Sequence, residues 1–157
     1  MHHTREEVIQ RTIREFDLLD NLVANLKDED WELLLIRSET KDPWTVKDAV
    51  AHITHWKADV LRKILKQRPP TEYRGLMIDE GNHLIFVRWH DRPYQEVLAW
   101  HRQVQKDLLD GLRQAPDEYF SGKNHPVEWP YDLDGHSASH RIKDIERVLK
   151  AKRPGGK

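Results

Sequence analysis

Cysteine is absent from the 157 residues, which excludes disulfides, zinc ribbons and a thiol nucleophile and leaves the redox compartment unmarked. No apolar run approaches the roughly 18 residues a membrane-spanning helix needs, so no membrane partner is expected. The opening residues, MHHTREEVIQ, lack an apolar h-region, which predicts no secretion signal and a cytoplasmic location. Net charge is only −1 and no basic stripe stands out, so no nucleic-acid partner is expected either. Strand signals are weak, and there is no repeat or low-complexity segment.

What is present points to helices. Charged residues make up 34% of the chain against 38% hydrophobic, a balance that suits helices with salt-laced outer faces. The length fits one domain, residues 1–157, with a flexible tail at 151–157. Thr4 and Glu7 stand at capping-box spacing before Val8, Ile9, Ile13, Phe16, Leu19, Val23 and Leu26, which recur helically to about residue 27. Asp28 and Asp30 around Trp31 mark a break. Thr45 and Asp48 form a second capping box, and Val46, Ala49, Val50, Ile53, Val60 and Ile64 share a face of a helix running to about Gln67. RPPTEYRG is a loop, and a shorter helix covers about Ile78 to Trp89. Asp91 is the expected cap, with Pro93 near the first turn, of a third long helix reaching about Ala115. After the irregular SGKNHPVEWPYDLDG, a fourth runs from about Leu133 to Lys150. The pattern predicts an all-α fold, a four-helix bundle with long connecting loops and a short extra helix.

Ten histidines and six tryptophans are many for this length. In GHSASH, His136 and His140 are four apart, so on one helix they lie one above the other. That spacing serves two ligands of a metal ion, and it equally serves two polar residues on a wet helix end.

WTVKDAVAHITHW resembles the second-helix signature of the DinB-like (DinB/YfiT-like) metalloenzyme family: a tryptophan and a capping Ser/Thr, here Trp44 and Thr45, then a histidine, here His52. The stretch from Asn82 to Phe120 is similar to that family's third segment in the branch of ClbS/DfsB-type proteins, and SHRIKDIERVL to that branch's last helix. The resemblance implies a four-helix bundle with a divalent metal, zinc or nickel, held by His52, His136 and His140. It also implies a metal-dependent transferase or hydrolase acting on a small-molecule electrophile, with a low-molecular-weight thiol as co-substrate. The ClbS/DfsB branch implies an alternative, a metal-free small-molecule binding or resistance protein. Pairing into a homodimer through helix faces is a further expectation for such a bundle.

Three histidine ligands leave coordination positions open, the arrangement of catalytic rather than structural sites. One feature opposes it. At 100° per residue, Ala138, Ile142, Ile145 and Leu149 cluster on one side of the last helix and the histidine pair falls nearly opposite. A local π-bulge, or a site at a splayed bundle mouth, is needed to turn the pair inward. His55, Trp56, His101 and Trp129 are candidates for the walls of a pocket beside the ion. For His55 the plain alternative is an exposed pair with Asp59; for His101, a hydrogen-bonded core histidine; for Trp129, packing under its loop. Arg88 and Arg92 are positioned to hold a carboxylate, or to be ordinary solvated charges.

Overall fold

The structure, a computed structural model, describes residues 3–36, 41–121 and 131–152. Four long helical elements carry the bundle: α1 (Arg5–Ala24), α2 (Val46–Ile64), α4 (Tyr94–Gln114) and a C-terminal helical run over residues 131–152, with the shorter α3 (Ile78–Trp89) leaning on α2. A single turn of helix, Glu118–Ser121, follows α4. The described residues contain no strand, and none of their helices is long and apolar enough to cross a membrane. The all-α bundle expected from the periodicity is the fold observed.

Local chemistry sets the helix ends. Thr45 Oγ1 accepts from the Asp48 N–H while Asp48 Oδ2 accepts from the Thr45 N–H at 2.8 Å, the reciprocal box legible in the sequence. At α1 only half of the expected box forms. Thr4 accepts from the Glu7 N–H, but the Glu7 carboxylate pairs with His3 instead of returning to Thr4. Helix α4 starts from Pro93, not Asp91, because the ring fixes φ near −59° beside the first helical residue. Helix α2 stops at Ile64, short of Gln67, in a Schellman turn: the Lys66 N–H donates to Lys63 O and the Gln67 N–H to Arg62 O. Lys66 takes the left-handed position, at φ 55°, where glycine is the usual occupant.

Two apolar clusters fill the bundle. One gathers Leu19, Val23, Trp31, Ala49, Val50, Ile53, Val97, Ile145 and Val148; the other Val8, Ile9, Val60, Ile64, Leu108, Leu112 and Leu133. On every long helix the residues between them are polar and buried: Thr12 and Glu15 on α1, Lys57 on α2, His101 and Gln105 on α4, and Ser137 on the C-terminal run. Glu15 accepts from Ser137 Oγ at 3.0 Å and from the Arg141 guanidinium at 2.8 Å, and Lys57 donates to Gln105 at 3.1 Å. A charged group this deep persists only when paired, and these pairs supply the partners. Helices α2 and α4 come close at Gly111, where an added Cβ would lie 2.6 Å from Leu61 Cδ1.

A short tether positions the N-terminus of α2. Leu34 and Thr45 form an antiparallel bridge, with the Leu35 N–H donating to Trp44 O at 2.9 Å. The bridge holds Trp44, 4% exposed, against the face of α2 that carries His52. His90, at the end of α3, reaches the buried Asp48 carboxylate at 2.8 Å and so ties α3 to the same cap.

Candidate metal centre

The C-terminal run is one continuous helix of alternating pitch. Tyr131–Gly135 and Arg141–Glu146 are π-helical, while His136–His140 and Arg147–Lys152 are α-helical. The junction residues Gly135, His140, Arg141 and Arg147 all keep right-handed helical dihedrals, so the helix does not break between segments. A π turn bonds i to i+5 and advances less than 100° per residue, so the simple wheel drawn for this segment is out of phase. The buried positions are Leu133, Ser137, Asp144, Ile145 and Val148. Of the expected stripe only Ile145 is buried, and Ile142 is 53% exposed. The core face therefore lies nearer the histidine pair than the apolar pattern implies. It was hidden because two of its members, Ser137 and Asp144, are polar and read as surface.

His52, His136 and His140 converge. Each offers a ring nitrogen, and the three atoms lie within 4.8 Å of one another. Ring centroids are 5.1 Å apart for His52 and His136, 4.6 Å for His52 and His140, and 4.7 Å for His136 and His140. His52 is 4% exposed, and its partners are half-buried. Burial pushes the His136 imidazole down to about 4, with the nearby charges of His140 and Lys57 acting the same way. His136 is therefore neutral at pH 7, the form that ligates a metal.

Asp144 completes the set. Its Oδ2 is 2.7 Å from His140 Nδ1. With the Nδ1 proton donated to the carboxylate, the Nε2 lone pair is left for an ion. Nothing in the sequence reading singled out Asp144; its four-residue offset from His140 was the available signal.

The three imidazoles open onto a cavity of about 370 Å³ whose other walls are Trp44, Trp56, Ile78 and Asn82. Trp56 packs edge-on to both His52 and His136. The donor set fits a divalent ion of borderline softness: neutral nitrogen ligands from two helices, a carboxylate behind one of them, and open space on the remaining side.

Other candidates fall elsewhere. His55 does not line this cavity; it packs at 4.8 Å on Tyr73, and burial together with Arg62 pushes it down to about 4. Nor is it an exposed partner of Asp59, which pairs with Arg62 and Lys63. His101 does not line this cavity either. Its ring stacks on Phe16 at 4.8 Å, its Nε2 meets Asp20 at 3.2 Å, and burial lowers it to about 4. Trp129 lies outside the described residues. Arg88 and Arg92 are exposed, pair with Glu72 and Glu96, and flank the Trp89 ring. Asn82 and Ile78, both on α3, are walls that sequence reasoning missed. A polar amide in mid-helix was the only hint of Asn82.

Residues 14–125, well over half of the chain, match the family model of the mycothiol maleylpyruvate isomerase N-terminal domain. The matched segment contains His52 and stops before the histidine pair. No curated protein sequence matches. Among solved structures, an uncharacterised protein from Escherichia coli UTI89 superposes with a TM-score of 0.78 at 12% identity, over 96% of this chain and 95% of that one. The sibling lethal factor precursor DfsB gives 0.74 at 15%, over 98% and 99%. The colibactin self-resistance protein ClbS, solved in complex with a dsDNA, gives 0.70 at 17%, over 96% of each chain. Likeness at these identities shows the fold, and it is the DinB-like bundle in the ClbS/DfsB layout.

Proposed function

Since the chain belongs to the mycothiol maleylpyruvate isomerase N-terminal domain family, we propose that it is a divalent-metal-binding protein of the DinB-like kind with His52, His136 and His140 as ligands. The observation that carries the reading is the convergence of three imidazoles, from two helices, within 4.8 Å. Zinc and nickel both suit an all-imidazole donor set. When bound there, such an ion supplies Lewis acidity and lowers the pKa of a water or thiol at its open position.

The chain's own residues prepare that position. Asp144 holds the orientation of His140, Trp44 and Trp56 exclude water on either side of His52, and the cavity admits a small molecule. The activity we assign is metal-dependent transfer or hydrolysis on a small electrophile, with a low-molecular-weight thiol as the co-substrate. A metal-free binding or resistance role, as the likeness to ClbS suggests, leaves the triad and its Asp144 support without a purpose. The dsDNA belongs to the ClbS structure; a net charge of −1 gives this chain no general attraction to a polyanion.

His140→Ala tests the ligand set. The variant should lose bound metal while keeping its helix content by circular dichroism. Unchanged metal stoichiometry would sink the assignment.

A further inference from the structure

Each histidine of the C-terminal pair is followed at once by a residue held from α1. Ser137 follows His136, and its hydroxyl donates to Glu15 Oε2 at 3.0 Å. Arg141 follows His140, and its guanidinium grips the same carboxylate: Nη2 donates to Oε1 at 2.8 Å and Nε to Oε2 at 3.0 Å. Two bonds from one planar fork fix direction as well as distance. All three groups are shielded from water. Ser137 is fully buried, and the side chains of Glu15 and Arg141 are 6% and 11% exposed.

The histidine-bearing segment needs such a hold. His136–His140 is a short α-helical stretch with a π-helical segment before it and another after it. A change of either π segment to α pitch would rotate the pair about the helix axis, away from His52. Contacts to another helix select the observed phase. A helical serine commonly bonds back to its own preceding turn, whereas Ser137 gives its one proton to α1. At about 100° per residue, the face that Glu15 holds adjoins the face that carries the two imidazoles. His52 approaches that second face from α2.

We propose that Glu15 is a positioning residue for the metal centre: through Ser137 and Arg141 it sets the rotation of the helical segment and so aims the His136 and His140 rings at His52. Asp144 acts on one ring from behind, while Glu15 acts on the segment that carries both. The inference rests on the metal-centre reading for its consequence, but the ring orientation it claims exists with or without an ion.

Glu15→Gln breaks the fork and removes a charge. Ser137→Ala/Arg141→Lys conserves every charge, and an ammonium cannot reproduce the paired bonds of a guanidinium. Both variants should weaken zinc by about tenfold, the lower end of what losing a partner behind a ligand costs. Competition against a chromophoric chelator reads the change. Leu108→Ala, in the second apolar cluster, is the control: it should lower the thermal midpoint and leave zinc affinity unaltered. In the metal-free protein, the ring-proton resonances of His136 and His140 should move in both anchor variants and stay in place in the control. Trp56 beside His136 and Trp44 beside His140 make those resonances sensitive to orientation. Where the double variant does not fold, Ser137→Ala alone should move the same resonances. Unaltered zinc affinity in the charge-conserving variant overturns the proposal, because an effect confined to Glu15→Gln is one of charge alone. An equal loss in Leu108→Ala, or ring resonances that stay in place, overturns it too. A wild type that takes no zinc while the anchor variants still move the two rings loses the metal reading and keeps the orienting role of Glu15.

Discussion

His140 and Asp144 share the C-terminal helix, and their Nδ1 and Oδ2 atoms stand 2.7 Å apart. The contact spans the start of the π-helical segment, so the unusual pitch and the orientation of the imidazole are parts of one arrangement. A carboxylate behind a ligating histidine fixes its tautomer and raises its basicity.

Asp144→Asn should therefore weaken zinc binding by about 10- to 100-fold, the usual cost of losing such a partner, while the number of sites at saturation stays the same. Competition against a chromophoric chelator measures it. An unaltered affinity means that Asp144 does not support the ligand.

Much of the frame was legible in the sequence, for local reasons. Thr45 and Asp48 announce the start of α2 because a reciprocal cap needs only those residue types three apart. The bounds of α3 follow from its apolar side. The polar layer was not legible. Glu15, Lys57 and Arg141 are residue types that normally lie outside. Their burial depends on partners far along the chain: Glu15 and Arg141 are separated by 126 positions, Lys57 and Gln105 by 48. The convergence of His52 with the pair was implied by family resemblance, while the helix wheel argued against it. The wheel failed because it assumed uniform pitch and counted only apolar residues as core.

Lys57 gives a pH signature. Burial pushes its amine down to about 8, against an opposing pull from Glu15. Between pH 8 and the ordinary 10.5 the unfolded chain binds the proton and the folded chain does not, so this residue's contribution to stability rises with pH across that window. Urea unfolding of wild type and Lys57→Met at pH 7.5 and pH 10 should show the difference between the two proteins shifting in favour of wild type at the higher pH. A difference that is flat with pH contradicts a buried, depressed Lys57.

Lys66 carries a removable backbone cost. It occupies the left-handed position of the Schellman turn that ends α2, and a side chain there is disfavoured by about 1 kcal/mol relative to glycine. Lys66→Gly should raise stability by about 0.5–1 kcal/mol, less what glycine adds to the freedom of the unfolded chain. Chemical denaturation reads the change. A clear loss of stability shows that the Lys66 side chain contributes something the turn geometry does not reveal.

The most direct test of the metal centre is elemental analysis of untagged protein, with the His52→Ala variant alongside. The account predicts about one divalent ion per chain in the wild type, from three ligands converging on a single site, and its loss in the variant. No ion after reconstitution with zinc or nickel, or an ion retained without His52, contradicts it.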